Sequence, residues 1–110
     1  MAYSVINTSV AHTEGAIYTT AEGLPFVVIG SAAAESGFYT KLHLGGGVIY
    51  ALISEAWNGT EPVLATVDGT QVRPKKPSDT TDCGYLIPDV TRTNGYAAGD
   101  MAGIYWRGIR

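Results

Sequence analysis

The stretch that decides the fold reads Phe38-Tyr-Thr-Lys-Leu-His-Leu-Gly45-Gly-Gly-Val48-Ile-Tyr-Ala-Leu-Ile53. Before the three glycines, apolar and threonine side chains alternate with Tyr39, Lys41 and His43, which is the two-residue period of a strand with one buried face. After them comes an apolar run rich in β-branched and aromatic residues, which suits a strand. The simplest interpretation is a hairpin closed by glycines, with His43 on its exposed face.

A helix is the alternative for the second half of this stretch. Residues 48–57 place apolar side chains at helical spacing, and Asn58-Gly59 would end such a helix. A strand, a glycine loop and a helix together form the layout that cradles phosphate groups. The loop lacks, however, both the Gly-Lys-Ser or Gly-Lys-Thr ending of a P-loop and the glycine spacing of a dinucleotide fingerprint. We therefore favour strands on both sides of the glycines.

Outward from this stretch, turn signals recur about every ten residues or more, as in small all-β domains. Asn58-Gly59, Asp68-Gly69 and Asn94-Gly95 are typical tight turns. Apolar segments at residues 24–30, 63–67 and 84–88 are predicted strands, and residues 31–36 a helical turn or loop. The apolar segment at residues 97–106 closes the chain, with Ile104 and Trp106 on one face if it is a strand. The sequence thus predicts a mainly β fold, a small antiparallel β-barrel or β-sandwich with few or no helices.

The chain divides into two segments and one loop by composition. Residues 1–20 are poor in apolar side chains, and we expect an extended N-terminal arm or edge strand there. Residues 21–110 are predicted to form a single β domain, which suits a chain of 110 residues. Residues 74–82 contain two prolines and four charges and no aliphatic side chain, so we expect an exposed loop.

Charge is sparse and uneven. Charged residues make up 15% of the chain, against about a quarter in typical soluble domains. Such sparse charge suits either a partner that covers part of the exterior or a mostly β monomer. Residues 1–72 hold six acidic residues and one lysine, whereas residues 73–110 hold six basic and four acidic residues. This asymmetry suits copies meeting head to tail, or docking on an oppositely charged partner, or ordinary solvated side chains. A net charge of −3 disfavours nucleic acid as a partner.

Neither a membrane-spanning segment nor a secretion signal is recognisable, so we expect no membrane partner and no secretion by the chain's own signal. Cys83 is the single cysteine, which excludes an intrachain disulfide. An enzyme is the weakest hypothesis: Cys83 would need His12 or His43 as a base and Asp79, Asp82 or Asp89 to orient it. A solitary cysteine beside a glycine is more typical of packing. We predict no catalytic, cofactor or metal site.

One short run resembles a known family. Ala56-Trp57-Asn58-Gly59-Thr60, followed by Val63-Leu64-Ala65, resembles the turn and aliphatic strand of the lambda-type capsid decoration (cement, head-stabilising) proteins of tailed bacteriophages. The chain length, low charge, loosely structured N-terminal segment and Gly/Ala-rich final strand are also similar to that group. The resemblance implies a non-enzymatic virion structural protein, made in the host cytoplasm, that sits as a homotrimer on the capsid and clamps subunits of the major capsid protein.

On this hypothesis the N-terminal segment and the basic loop would contact the capsid. The partner-binding residues would be Tyr3, Val5, Ile6, Val10, Ile17, Arg73, Lys75 and Lys76. Trp57, Tyr105 and Trp106 would be anchors in the core or at the trimer seam.

Two alternatives share the same composition. In a carbohydrate-binding, lectin-like module, exposed Trp and Tyr rings would stack on sugars while Asn58, Asp68 and Asn94 hydrogen-bond hydroxyls. The simpler interpretation is that the aromatic side chains fill the core, and the exposure of Trp57 or Trp106 distinguishes the two. A phage tail or baseplate accessory protein is the other alternative.

Overall fold

The computed structural model describes residues 2–110, which form strands, turns and irregular segments. In chain order the strands are β1 (Tyr3–Thr8), β2 (Ile17–Thr19), β3 (Pro25–Ala33), β4 (Phe38–His43), β5 (Val48–Leu52), β6 (Val63–Asp68), β7 (Gln71–Pro74), β8 (Gly84–Ile87) and β9 (Met101–Trp106). They make one four-stranded and one five-stranded sheet, and neighbouring strands run antiparallel. The predicted fold class is confirmed.

The five-stranded sheet has the order β5-β9-β8-β6-β7. Its edge strands approach each other, because Ile53 forms a parallel bridge with Val72 and the Ser54 N–H donates to the Val72 carbonyl at 2.8 Å. The sheet therefore curls into a small, nearly closed barrel. The side chains that point inward form most of the buried core, namely Ile49, Ala51, Ile53, Ala65, Val72, Leu86, Ala102, Ile104 and Trp106.

The four-stranded sheet has the order β1-β4-β3-β2. Its β2 side joins the barrel, since Ile17 and Val27 belong to the same buried cluster. The backbones are joined as well: the Ile17 N–H donates to the Thr70 carbonyl at 2.8 Å, and the Leu52 N–H donates to Gly15 at 2.9 Å. The two sheets thus share one core. At the other edge of this sheet lies β1, in a molecule that measures 44 × 30 × 23 Å.

The strands around the three glycines exist, but the predicted hairpin between them is wrong. β4 lies between β1 and β3, while β5 pairs with β9 in the other sheet. Because both edges of β4 are occupied, no edge is left for β5. Gly45, Gly46 and Gly47 have φ angles of 97°, 74° and 75°, a left-handed backbone that glycine adopts without steric cost. They carry the chain from one sheet to the other.

Of the other predictions about secondary structure, some are wrong and some are confirmed. The helical alternative for residues 48–57 is wrong, because β5 occupies Val48–Leu52. The helical turn or loop at residues 31–36 is wrong for its first half, since β3 continues to Ala33, which pairs with Phe38. The hairpin at Asp68-Gly69 is confirmed, with Asp68 opposite Gln71. The four apolar segments overlap β3, β6, β8 and β9, and β3 and β6 extend beyond the predicted ends.

A ladder of hydroxyl groups crosses three strands of the four-stranded sheet. Thr40 in β4 is buried, and its Oγ1 lies 2.8 Å from Thr8 Oγ1 in β1. It also lies 2.8 Å from Ser31 Oγ in β3, which in turn accepts the His12 N–H at 3.0 Å. The ladder fastens β1, and the segment that follows it, to the sheet. Residues 3–8, predicted as an arm or an edge strand, form the edge strand β1.

Candidate protein-interaction surface

The outer face of the barrel carries an uncovered row of large side chains. The strand register places Val48 opposite Tyr105, Tyr105 opposite Tyr85, and Tyr85 opposite Leu64. Directly opposed residues on antiparallel strands point to the same face of the sheet. Val48 is 53% exposed, Tyr105 41% and Tyr85 39%, and Leu64 is half-buried. Four neighbouring strands therefore present one apolar row to solvent.

A second row lies beside the first and borders a groove. Tyr50 is opposite Gly103, and Gly103 is opposite Ile87. Tyr50 is 63% exposed, and glycine at the centre of the row leaves space between the larger side chains. The groove has a volume of about 380 Å³ and is closed on its far side by the loop that contains Val90, which is 93% exposed. The site is thus a concave apolar strip rather than a flat sheet.

The same surface continues onto the four-stranded sheet. A small groove lined by Ile29, Val48 and Tyr50 connects the barrel face to β3. Ile29 also lines a groove of about 310 Å³ with Val5 and Tyr39, among others. One apolar surface therefore runs from the outer face of the barrel across to β1. We call it the apolar strip and define it by Val5, Ile29, Tyr39, Val48, Tyr50, Tyr85, Ile87 and Tyr105.

Two cations near the apolar strip are engaged by neighbours, whereas Glu14, which lines the groove beside Ile29 and Tyr50, is exposed and forms no ion pair among the described residues. The Arg107 guanidinium lies 5.1 Å from the Tyr85 ring centre and donates to Asp82 Oδ1 at 2.7 Å. The Lys41 ammonium lies 4.3 Å above the ring of Tyr3, a favourable cation–π arrangement. A partner that covers the strip would therefore meet few unpaired charges.

The structure separates the predicted N-terminal contact residues. Tyr3, Val5 and Val10 are exposed and Ile6 is half-buried. Ile17 is 4% exposed and belongs to the core, because β2 packs against the barrel. Ile17 is therefore not accessible to a partner in this structure. The exposed residues of β1 lie at the end of the apolar strip.

The predicted basic loop is largely neutralised. Arg73 donates to both carboxylate oxygens of Asp79, at 2.7 and 2.9 Å. Lys76 lies 3.3 Å from a carboxylate oxygen of Glu55. Lys75 is half-buried, and its N–H donates to the Leu64 carbonyl at 2.8 Å. Arg73 and Lys76 therefore form local ion pairs, whereas Lys75 forms none among the described residues and contributes a backbone hydrogen bond.

The predicted anchors divide between core and surface. Trp57 and Trp106 are 7% and 2% exposed and lie in the core cluster. Tyr105 points outward into the apolar strip, because it alternates with the buried Ile104 and Trp106 along β9. Tyr50 and Tyr85, which the sequence reading did not single out, point outward by the same alternation. Alternation in the sequence could show that each of them shares a face with its second neighbours, but not which face the sheet covers.

Residues proposed for sugar binding meet only in part. Trp57, Asn58 and Asn94 line one open groove of about 550 Å³, together with Thr60 and Thr93. Asp68 is engaged elsewhere, where it accepts the Ser54 hydroxyl at 2.7 Å. Trp57 stacks on Tyr96 with ring centres 5.0 Å apart. With both tryptophans buried, neither offers an open ring face to a sugar.

Cys83 is placed for packing. Its thiol is fully buried and donates to the Ala65 carbonyl at 3.4 Å. Burial, and next the negative charge of Asp82, raise the pKa of Cys83 to about 12. A thiol of that pKa stays protonated at neutral pH and is a poor nucleophile. Among residues 2–110, no group of three or more His, Cys, Asp or Glu side chains is arranged to hold a metal ion.

His43, expected on an exposed face, is fully buried, so that expectation is wrong. The alternation of β4 ends there, because Leu42 and His43 are both covered where the strand meets the rest of the fold. Neither ring nitrogen forms a hydrogen bond within ordinary distance and angle limits among the described residues, although the Gly46 backbone lies close enough to act on the imidazole. Burial lowers the pKa of His43 and outweighs the opposite effect of the Gly46 backbone. The imidazole is therefore neutral at physiological pH.

Comparison with known proteins found no match among family models, curated proteins or solved structures. Within residues 2–110 there is also no helix long and apolar enough to cross a membrane.

Proposed function

We propose that this protein is a non-enzymatic virion component, a capsid decoration or cement protein that docks on the major capsid protein through the apolar strip. The observation that carries the proposal is the uncovered row of Val48, Tyr105 and Tyr85 on the barrel. Exposed apolar surface of this kind marks interaction sites in soluble proteins, and tyrosine is enriched where proteins bind one another. The resemblance around Trp57 supplies the class of partner.

The mechanism on this proposal is mass action rather than chemistry. A protein that binds the assembled shell better than free subunits stabilises the assembled state. Many copies on one lattice add avidity to contacts that are individually modest. The strip suits such a contact, because few charges have to be stripped of water when it is covered.

The test is co-sedimentation with assembled shells of the major capsid protein encoded alongside this chain. We expect the wild type to sediment with shells and to raise their melting temperature. The double variant Tyr50→Glu and Tyr105→Glu should lose about tenfold or more in affinity, the size typical of central interface residues. Thr70→Glu is the control, since Thr70 is exposed in the turn between β6 and β7 and lines none of the grooves of the strip. Equal binding of both variants, or no binding by the wild type, would overturn the proposal.

A tail or baseplate accessory role would use the same strip on a different lattice. It predicts binding to purified tails instead of shells, and the two tyrosine substitutions would abolish that binding in the same way.

A carbohydrate-binding module is the second candidate, favoured by one observation. Asn58 and Asn94 lie in the same open groove beside the stacked Trp57 and Tyr96, and amide side chains suit sugar hydroxyls. A glycan array tests it directly. Binding that disappears in Asn58→Ala and Asn94→Ala, and persists in Tyr50→Glu, would favour this candidate over capsid docking.

A further inference from the structure

The strand β1 presents a free backbone edge. Leu44 N–H donates to the Ala2 carbonyl at 3.1 Å, and the register places Ser4 opposite Leu42 and Ile6 opposite Thr40. Hydrogen-bonded pairs alternate along an antiparallel ladder, so Ser4, Ile6 and Thr8 direct their N–H and C=O groups to β4. The backbone groups of Tyr3, Val5 and Asn7 therefore point away from the sheet. No other strand of residues 2–110 pairs with that edge.

This edge lacks the usual protection against pairing. Natural edge strands are kept from pairing by charges, proline, bulges or short length. β1 reads Tyr-Ser-Val-Ile-Asn-Thr, six residues without charge, proline or glycine. The other edges are protected: β2 has three residues, β7 contains Arg73 and ends at Pro74, and the end of β5 is bridged to β7. β1 is thus built as a strand that receives a neighbour.

We infer that β1 pairs antiparallel with β1 of a second copy of this chain, across a two-fold axis at Val5. In this register Val5 faces Val5 of the partner subunit, and Tyr3 faces Asn7 of the partner subunit. It is the register that engages all three outward-pointing residues of each strand. Pairing would join the two four-stranded sheets into one continuous eight-stranded sheet, which is a closed, isologous contact.

A second copy fits this edge for two reasons. The strand is uncharged, so two copies meet without like-charge repulsion, which otherwise destabilises directly opposed strands. The pairing also brings Val5 and Tyr39 of both copies onto one face, so that the two apolar strips become continuous across the axis. The contact gives a dimer, in place of the trimer that the family resemblance implies. It is independent of capsid binding, and its test uses the free protein.

Cysteine cross-linking tests the register. Directly opposed residues of a hydrogen-bonded antiparallel pair have Cα atoms about 5.5 Å apart, within the range a disulfide spans. Cys83 is buried, so an introduced cysteine is the accessible thiol. We expect Val5→Cys to form a covalent dimer under mild oxidation, whereas Tyr3→Cys alone does not. A mixture of Tyr3→Cys and Asn7→Cys should give the mixed dimer.

The matched control for random collision is Val90→Cys, because Val90 is 93% exposed and remote from β1 in the fold order. A Val5→Cys protein that cross-links no faster than this control would overturn the inference.

Light scattering with Val5→Pro gives a second, independent test. Proline removes the outward N–H of Val5 but leaves the β1–β4 hydrogen bonds intact, since those belong to Ser4, Ile6 and Thr8. We expect a dimeric wild type and a monomeric variant with an unchanged circular dichroism spectrum. A wild type that is monomeric or trimeric at all concentrations, or a variant that dimerises as well as the wild type, would overturn the inference.

Discussion

Trp57 and Tyr96 are held together by both backbone and side chain. Their rings stack with centres 5.0 Å apart at an interplanar angle of 21°. The Trp57 N–H donates to the Tyr96 carbonyl at 3.0 Å, and the Tyr96 N–H donates back at 2.8 Å. The Tyr96 hydroxyl accepts the Asp89 N–H at 3.0 Å. The pair therefore fixes the loop that closes the groove of the apolar strip.

Truncating this pair should destabilise the fold strongly. We expect Trp57→Ala to lower the free energy of unfolding by about 3–5 kcal/mol, the usual cost of removing a buried large aromatic side chain. Tyr96→Phe keeps the stacking and removes the hydroxyl, so we expect a loss of about 1 kcal/mol. Urea titration followed by circular dichroism measures both. If Trp57→Ala lowered the free energy of unfolding by less than Tyr96→Phe does, the assignment of Trp57 to the core would be wrong.

Gly84 is required by a backbone contact. Its φ is 131°, and a Cβ atom at this position would collide with the carbonyl oxygen of Tyr105 on the neighbouring strand. A collision with backbone cannot be relieved by a rotamer change. We therefore expect Gly84→Ala to cost about 3 kcal/mol or more, from overpacking and the strained backbone together.

Gly103 provides the matched control for Gly84. It lies on the adjacent strand β9, and a Cβ there would find its nearest neighbours at 3.6 Å, an ordinary contact distance. We expect Gly103→Ala to change the free energy of unfolding by less than about 1 kcal/mol. Thermal unfolding of the two variants side by side separates the effects. Equal losses would show that the Gly84 contact is not specific.

Acid should weaken the loop after β7 through Asp79. The hydrogen bonds from Arg73, and next that from the Lys76 N–H, hold the pKa of Asp79 well below its usual range. The stability from this carboxylate is present above the unfolded-state pKa of about 4 and is lost as the pH falls toward the lower folded-state pKa. When the pH is lowered from about 5 to about 2, a range around the typical carboxylate pKa, Asp79→Asn should therefore lose less stability than the wild type does.

Urea midpoints across this range give the measurement for Asp79. Glu35→Gln is the control, because Glu35 is exposed and forms no ion pair among the described residues. The urea midpoint of Glu35→Gln should depend on pH as steeply as that of the wild type. If the midpoint of Asp79→Asn depends on pH just as steeply, the ion pair with Arg73 does not contribute to acid sensitivity.

Local sequence patterns predicted the strands far better than their partners. Alternation located β4, and an Asp-Gly pair located the β6–β7 hairpin, because both signals lie within a few residues. The hairpin expected across Gly45-Gly46-Gly47 failed because β4 is flanked by β1 and β3. Which strand pairs with a given edge of β4 depends on residues far apart in the chain, and local periodicity does not specify those partners.

The burial of side chains in the candidate interaction surface could also be predicted only in part from the sequence. Residue type placed Trp57 and Trp106 among the core candidates, and both are buried. The outward positions of Tyr50 and Tyr85 depend on how the five-stranded sheet curls, since closure decides which face is covered. Ile17 was expected to bind a partner from an extended N-terminal arm or edge strand, yet β2 carries it into the core. Burial was thus predictable for the largest side chains and unpredictable for a short strand added by tertiary packing.

His43 should make the protein sensitive to mild acid. Burial lowers its pKa in the folded state, whereas the unfolded chain binds a proton near pH 6.5. As the pH falls below that value, the unfolded state takes up the proton and the folded state does not, so stability declines until the folded-state pKa is reached. We therefore expect the urea concentration at the unfolding midpoint to decrease as the pH is lowered from about 7.5 to about 5, a range that brackets the typical histidine pKa.

Two substitutions distinguish the contribution of His43 to this acid sensitivity from that of His12. His43→Leu removes the titrating group and two ring nitrogens that form no hydrogen bond within ordinary distance and angle limits among the described residues. Because a buried polar group without a partner is costly, we expect this variant to match or exceed the stability of the wild type at pH 7.5 and to lose the decline. His12→Gln should retain it, since His12 is only half-buried and lies edge-on to Tyr18. Loss of the decline in His12→Gln instead would assign the acid sensitivity to the segment that follows β1.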